Sequence, residues 1–351
     1  MRHGLGAECT NASEWWSYSR TGYIAGEYAR CTADWNLLGP LDAGGVPLSF
    51  ALMRSLLLPT YGAKNIVYLY RRPPTVAPEN HGAWAAGMAK RLCEQADPGT
   101  IWAIEPTNEV SYAWYPPCTA ANPGWPDYGM LAAWLVDIYA QVKAAVAPFG
   151  VRVIGPTIGT SKSVPECNAF IAAGGLSHLD AWAFHDYFDT VTAPAIVADK
   201  ITFYRSLTSL PLMNSECGFH DLIATPPAIH EYAAYHAAHG VALIGHQWVA
   251  NTSSNVLHGY WDADPSNRLL PTAKLTAILS GWDSVVQPSP VPPAGPCPCR
   301  EQLDRIEALL TVPAPPVLPT VSQAELDAVP NTRHDAIAEI VRRHKGKVIV
   351  E

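Results

Sequence analysis

Charged residues are scarce in this sequence: Asp, Glu, Lys and Arg make up 15% of its 351 residues, and 31 acidic against 23 basic residues leave a net charge of −8. Nucleic-acid binding needs a concentrated basic face, so this balance excludes a nucleic acid as the main partner. Hydrophobic residues at 48%, with 12 Trp among them, instead allow a large buried core and aromatic rings at a binding surface.

Long apolar runs are also missing. No stretch of about 18 apolar residues is present, so we expect no membrane span. The first residues lack the apolar core of a secretory signal, so we expect no signal peptide, and the localisation stays open between the cytoplasm and an extracellular or virion-associated place reached by another route. The eight Cys lack the paired spacing of a zinc site, and buried thiols are favoured over one or two disulfides.

Motifs for bound cofactors are absent as well. Five His between positions 220 and 246 are close in sequence, but no His-Glu-x-x-His or similar ligand pattern joins them. The segment 155–162 (GPTIGTSK) contains Gly and Lys without the spacing of a phosphate-binding loop. We therefore predict neither a metal nor an organic cofactor.

Short apolar runs alternate with longer helical patterns from about residue 65 onward, which is typical of repeated βα units around a parallel sheet. Helices are predicted near 82–96, 128–147, 164–174, 193–208, 227–239 and 270–280. Strands are predicted at 65–70, 100–106, 151–156, 179–185, 210–216 and 241–248. This pattern predicts an α/β fold, namely a (β/α)8 TIM barrel.

Closure of such a barrel requires two further strands. Residues 3–9 (HGLGAEC) serve as the first. For the second we consider residues 52–57, although the surrounding stretch 47–62 also fits a helix, since periodicity does not separate the two for short apolar runs.

The composition changes at residue 287 to a Pro-rich stretch, which favours an extended linker. We therefore divide the chain into a barrel over 1–286, a linker over 287–299 and a small helical tail over 300–351. The tail is too short to own a core. It is either an attachment or assembly segment, such as an oligomer contact, or a mobile terminus, and the second interpretation is slightly favoured.

Two Glu residues follow predicted strands directly. Glu109 comes three residues after the strand 100–106, and Glu216 ends the strand 210–216. Catalytic residues of βα barrels stand at the carboxyl ends of strands, so both carboxylates are expected at one rim. Such a pair suits glycoside hydrolysis, in which one carboxyl protonates the leaving oxygen and the other attacks the anomeric carbon or activates water. Asn108, directly before the first Glu, can bind the sugar 2-hydroxyl.

These residues resemble clan A of the glycoside hydrolases, a group of retaining TIM-barrel enzymes. The resemblance covers roughly residues 1–285 and implies that Glu109, after strand four, is the acid/base and that Glu216, after strand seven, is the nucleophile. It points toward families 39, 30 or 5 without choosing among them, and the paired His that family 5 carries on strand three is absent.

Further positions match this resemblance. His185 and Tyr187 are similar to the clan's His-x-Tyr element on strand six, and Trp248 is similar to the Trp that lies beneath the sugar. The clan has an Arg at the end of strand two, for which Arg54 is the candidate. Arg72, after the third strand, and Trp114, in the insertion 111–126, are additional candidates for substrate binding.

The leading hypothesis is therefore a retaining glycosidase that cleaves an O-glycosidic bond, β-linked by the clan's habit, in an oligosaccharide or polysaccharide. The competing hypothesis is a barrel that binds a glycan without cleaving it, inside a larger assembly. The separation of the two carboxylates distinguishes them, because the retaining mechanism requires about 5–5.5 Å and a value well above about 10 Å would favour binding.

Overall fold

A computed structural model describes the chain over residues 2–9, 26–35, 38–50, 64–69, 72–110, 128–158, 164–187, 194–219, 225–245, 261–263, 269–271 and 273–285. The chain divides into two units, Met1–Pro290 and Val291–Glu351, and every described element belongs to the first. The predicted linker 287–299 and tail 300–351 lie outside the described residues, so their roles stay predictions.

Eight parallel strands close into a barrel in which each strand pairs with its neighbours in chain order and β8 pairs with β1. The strands are β1 (Arg2–Cys9), β2 (Gly26–Ala33), β3 (Lys64–Leu69), β4 (Ile101–Glu105), β5 (Arg152–Gly155), β6 (Ala181–His185), β7 (Leu212–Cys217) and β8 (Ala242–Gly245). The predicted TIM-barrel fold is confirmed.

Six α-helices accompany the strands in the part of the chain that the structure describes. They are α1 (His81–Gln95), α2 (Tyr128–Val146), α3 (Val164–Ala172), α4 (Pro194–Leu207), α5 (Pro226–Ala238) and α6 (Ala273–Val285). A short antiparallel pair, β9 (Trp261–Ala263) and β10 (Leu269–Pro271), stands before α6. The predicted helices agree with these bounds to within a few residues.

The second barrel strand is not where the sequence predicted it. The strand β2 occupies Gly26–Ala33 and pairs with both β1 and β3, whereas residues 52–57 lie outside the described residues. The prediction was wrong because β2 carries a fully buried Arg30 in its middle, which breaks the apolar pattern by which buried strands are recognised.

The barrel separates two layers of core. Outward-facing strand residues pack against the helices, as Ala29, Cys31 and Ala33 of β2 do. Inward-facing residues fill the barrel interior with a smaller cluster, made of Tyr28, Ile66, Ala103, Ile154, Ala181, Ala183, Met213, Ala242 and Ile244. Because side chains alternate along a strand, the next inward positions toward the carboxyl end are Arg30 on β2, Tyr68 on β3 and Glu105 on β4. The interior is therefore apolar at one end and polar at the other.

One helix among the described residues, Tyr128–Phe149, is long and apolar enough to cross a membrane by length and composition alone. Its residues Leu131, Leu135, Ile138 and Val142 are fully buried. An apolar face of this kind is what a barrel helix needs to pack on its sheet, so the helix is accounted for by the fold.

Four cysteines in the described parts of the chain, Cys31, Cys93, Cys167 and Cys217, are buried. Burial raises the pKa of Cys93 and of Cys167 to about 12, with a smaller contribution from the neighbouring Glu94 and Glu166. These thiols therefore stay protonated and act as small apolar core groups.

Close packing of α5 on α6 depends on Gly281. A Cβ at this position would fall on the backbone carbonyl of His230, far inside contact distance. We expect Gly281→Ala to lower the free energy of unfolding by about 1–3 kcal/mol, because the two helices must move apart. Urea unfolding followed by circular dichroism measures this change.

Gly87→Ala in α1 is the matched control for this prediction. The added Cβ there meets only the end of the Val46 side chain, at 3.2 Å, so a smaller change is expected. An equal loss in both variants would contradict the packing argument.

Candidate functional site

Glu109 and Glu216 reach the same end of the barrel. Glu109 follows β4 by four residues, and Glu216 lies within β7, at the carboxyl-terminal end of the sheet. Their side chains are 12% and 10% exposed, so both are nearly enclosed but accessible from one side. Each carboxylate is therefore placed where a barrel enzyme presents its reactive groups.

The backbone at Glu109 adopts a conformation that is unusual for a side-chain-bearing residue. Its φ of 49° is the one positive value at a non-Gly position in the described parts of the chain. The left-handed region costs about 1–2 kcal/mol for such a residue, and strain of this kind concentrates at functional sites. The amide of Val110 donates to the carbonyl of Thr157, 3.2 Å away, which ties the turn to the segment after β5.

A register shift in β7 directs Glu216 inward. Pairing with β6 and with β8 is irregular between Asn214 and Cys217. Ser215 consequently donates to Glu105, and the next residue, Glu216, contacts Arg30. Two successive side chains of β7 therefore point into the barrel interior. Bulges of this type re-aim side chains next to active sites.

Both carboxylate oxygens of Glu216 accept hydrogen bonds. Arg30 donates from Nη1 to Oε2 at 2.7 Å, and the hydroxyl of Tyr187 donates to Oε1. Charge-assisted hydrogen bonds of this kind favour the ionised form of a carboxyl group. The predicted neighbour Tyr187 is thus in contact with Glu216.

His185 lies between the two carboxylates. Its Nδ1 is 3.0 Å from Oε1 of Glu109, and its Nε2 is 3.6 Å from Oε2 of Glu216. Burial acts to lower the pKa of His185, but the charge of Glu216 and the hydrogen bond to Glu109 outweigh it and raise this pKa above its ordinary value. One oxygen of each carboxylate and a ring nitrogen of His185 all lie within 4.8 Å of one another.

Three such ligand atoms could also surround a cation. The guanidinium of Arg30, 2.7 Å from Glu216, already supplies a fixed positive charge at this position. A divalent ion would add a second positive charge beside it, which Coulomb repulsion disfavours. The arrangement is therefore better suited to acid–base and nucleophilic chemistry of the side chains themselves.

Arg30 and Glu105 are site residues that the sequence reasoning missed. Arg30 is completely buried, donates from Nε to Oε2 of Glu105 at 2.8 Å and from Nη2 to Oδ1 of Asn108 at 2.7 Å. The signal for both was a charged residue inside or at the end of a short apolar strand, in EYARCTA and IWAIE. Buried charges need partners, so a charged residue in each of two apolar strands indicates a buried ion pair.

The main correction to the predicted site concerns the Arg on strand two, which is Arg30 and not the predicted Arg54. The Arg on strand two that contacts Glu216 is Arg30, because β2 lies at Gly26–Ala33. Arg54 lies outside the described residues, as do Trp114 and Trp248. Arg72 is half-buried, and its Nη1 donates to the carbonyls of Pro73 and Val76 in its own loop. The predicted substrate contacts of Arg72, Trp114 and Trp248 stay predictions.

A second buried polar network supports β6 and β7 from the helix side. Asp186, between His185 and Tyr187, pairs with Lys200 and accepts from the hydroxyl of Tyr232 at 3.2 Å. Asn214 donates to that hydroxyl at 2.8 Å and is 3.3 Å from Nε2 of His236. The network joins α4, α5 and the two strands that carry Tyr187 and Glu216, and so fixes the relative position of those strands.

Folding should become pH-dependent through His236. Burial lowers the pKa of His236 to about 4, whereas the unfolded chain takes up this proton near pH 6.5. The stabilisation that neutral His236 contributes to the free energy of unfolding is fully present above pH 6.5. It should be lost as the pH drops from 6.5 to 4, which lowers the free energy of unfolding by about 3 kcal/mol. Urea unfolding across this pH range measures the slope.

His236→Gln should flatten this slope, since Gln retains an acceptor and a donor but does not titrate. His239→Gln, at an exposed position three residues away, is the control. A slope that is unchanged in His236→Gln would contradict the assignment.

No protein-family model matches the chain, and no curated protein is similar to it in sequence. Solved structures do share its fold. A family 39 glycoside hydrolase from Bacteroides cellulosilyticus WH2 is 17% identical with a TM-score of 0.55, and the match covers 80% of this chain and 64% of that one. The present chain thus spans less than two thirds of that structure.

Two other solved structures are covered more completely. The β-glycosidase BGL167 is 12% identical with a TM-score of 0.57, over 80% of this chain and 88% of that one. XacCel5A, solved in complex with cellopentaose, is 13% identical with a TM-score of 0.55, over 79% and 98% of the two chains. The structural neighbours are clan A glycoside hydrolases of families 39, 30, 5 and 1. At these identities the likeness is one of fold.

Proposed function

We propose that this chain is a retaining glycoside hydrolase in which Glu216 is the nucleophile and Glu109 is the acid/base. The observation that carries the proposal is the close approach of the two carboxylates, because one oxygen of each lies within 4.8 Å of the other. Retaining enzymes hold the carboxyl groups about 5–5.5 Å apart, whereas inverting enzymes leave about 6.5–9.5 Å for a water molecule. The close approach of one oxygen from each carboxylate therefore favours the retaining spacing.

The contacts of Glu216 suit a nucleophile. Arg30 and Tyr187 both donate to it, which favours the charged form of the carboxylate and holds it in one orientation. In the first step a carboxylate oxygen of Glu216 attacks the anomeric carbon, a new carbon–oxygen bond forms, and the bond to the leaving oxygen breaks. The product of this step is a glycosyl ester on Glu216.

The contacts of Glu109 suit an acid/base. Nδ1 of His185 lies 3.0 Å from its Oε1, which restricts the carboxyl group, so Oε2 is the oxygen that would meet the leaving group in this proposal. Glu109 gives its proton to the leaving oxygen in the first step. In the second it takes a proton from water, whose oxygen attacks the anomeric carbon and releases Glu216. After the second step Glu109 is protonated and Glu216 is a free carboxylate, as before the reaction. No metal or organic cofactor enters either step.

Sugar binding in this proposal falls to Asn108 for the 2-hydroxyl and to Trp248 as a platform beneath the ring. Arg72 and Trp114 would serve neighbouring sugars. A glycan-binding barrel without catalysis has less support, because binding alone does not require two carboxylates to be held together beside an Arg and a His. The substrate class is an oligosaccharide or polysaccharide with a β-linkage, in keeping with one neighbour solved in complex with cellopentaose and another that is the catalytic domain of a mannanase.

A panel of aryl α- and β-glycosides and of polysaccharides tests this proposal. We expect hydrolysis of at least one β-linked substrate, with the β-anomer as the first sugar product in a proton NMR time course. Retention follows from two successive displacements at the same carbon. First formation of the α-anomer from a β-linked substrate would contradict the mechanism, and no hydrolysis across the panel would contradict the activity.

A further inference from the structure

Glu105 is a fully buried carboxylate beneath the two proposed catalytic residues. Its Oε2 accepts from Nε of Arg30 at 2.8 Å, and its Oε1 accepts from the hydroxyls of Thr157 and Ser215. These partners come from β2, from the segment after β5 and from β7. An ionised carboxylate without exposure requires such compensation, because desolvation strongly disfavours an unpaired charge.

Arg30 uses all three of its guanidinium nitrogens at once. Nε binds Glu105, Nη1 binds Glu216 and Nη2 binds Asn108, while the face of the group lies 4.0 Å above the ring of Tyr68. The guanidinium is planar and rigid, so fixing Nε sets the directions of the other two nitrogens. Since Arg is only a donor, Oδ1 of Asn108 must face it.

We propose that Glu105 is a positioning residue that acts through Arg30, as its permanent counter-ion. The inference rests on the proposed function. Before the reaction one cation is shared by two carboxylates, Glu105 and Glu216. When Glu216 becomes a glycosyl ester its negative charge is lost, and Glu105 then balances Arg30 alone. Without Glu105, the ester would leave Arg30 buried with no carboxylate bound to it, which disfavours ester formation.

Among the described residues, His185 of β6 is a further titratable group close to Glu105. Its Nε2 is 4.0 Å from Oε1 of Glu105 and 3.6 Å from Oε2 of Glu216. Nε2 of His185 therefore lies near both carboxylates. A titration experiment on this site has to follow Glu216 itself, with His185 monitored beside it.

The test is a carbon-13 NMR titration of protein labelled at the Glu carboxyl groups, comparing the wild type with Glu105→Gln. The signal of Glu216 is assigned by its loss in Glu216→Gln. Gln can keep the carbonyl oxygen on Arg30 and turn its amide toward the hydroxyls of Thr157 and Ser215. Arg30 is then neutralised by Glu216 alone, so we expect the titration midpoint of Glu216 to fall by about one pH unit. An unchanged midpoint in a folded variant would overturn the proposal.

Kinetics provide a second readout on an aryl glycoside that the wild type hydrolyses. Glu105→Gln should slow the formation of the glycosyl ester about 10- to 100-fold and leave its hydrolysis as fast as before or faster, so that the ester no longer accumulates. Equal slowing of both steps would indicate a merely structural role. If no glycoside is hydrolysed, the proposed function fails, whereas the NMR titration still decides the role of Glu105.

Two variants complete the design. Glu27→Gln is the matched control, because Glu27 stands on the same strand as Arg30 but pairs with Lys64 at the other end of the barrel, and it should leave Glu216 unchanged. Thr157→Val removes one hydrogen-bond donor to Glu105, so the charge of Glu105 interacts more strongly with Arg30. Arg30 then stabilises the ionised form of Glu216 less, and the titration midpoint of Glu216 should rise. If Glu105→Gln does not fold, the proposal is tested by Thr157→Val alone. A titration midpoint of Glu216 that falls or does not change in Thr157→Val would then overturn it.

Discussion

Glu216→Gln should lower turnover of any accepted aryl glycoside by at least about four orders of magnitude, while the protein keeps its fold. The amide is a poor nucleophile and cannot form the glycosyl ester. The fold should persist because Arg30 keeps its hydrogen bond to the fully buried Glu105. Initial rates at saturating substrate measure the loss, and circular dichroism with urea unfolding measures the fold.

Glu231→Gln is the control for this experiment. Glu231 lies on the exposed side of α5, so this variant makes the same chemical change outside the site. It should retain wild-type rates. Turnover by Glu216→Gln within about tenfold of the wild type would refute its assignment as nucleophile.

Glu109→Ala should slow the hydrolysis of substrates with poor leaving groups by about 10³-fold, because the departing oxygen then leaves without a proton. A dinitrophenyl leaving group needs little protonation, so the first step on such a substrate should fall about tenfold or less. The second step also lacks its base, and the glycosyl ester should accumulate. Stopped-flow measurement of the aryl burst separates the two steps.

Azide provides an independent check on the same variant. This anion needs no general base, so it should attack the accumulated ester, restore turnover of the dinitrophenyl glycoside and yield the glycosyl azide with retained configuration. In this variant Nδ1 of His185 loses its contact with Glu109, so the pKa of His185 is expected to change. Equal slowing for good and poor leaving groups, without rescue by azide, would argue against Glu109 as the acid/base.

The position of β2 shows where sequence reasoning failed. The strand reads GEYARCTA, and its Arg30 makes it unlike a buried strand, whereas the apolar stretch near Leu52–Leu57 fits the usual pattern. A buried guanidinium is tolerated only because Glu105 and Glu216 lie beside it, and these residues are 75 and 186 positions away in sequence. No local pattern contains that information.

The sequence by itself determined seven of the eight barrel strands and the six helices, because apolar runs and helical patterns are local features of the chain, and it determined that Glu109 and Glu216 lie at strand ends. Only the tertiary structure decided which Arg neutralises Glu216, that Glu105 lies beneath it, and that the irregular register of β7 directs Ser215 and Glu216 together into the barrel. The physical reason is that a buried charge is stabilised by groups close in space, and barrel closure brings those groups together from strands far apart in the chain.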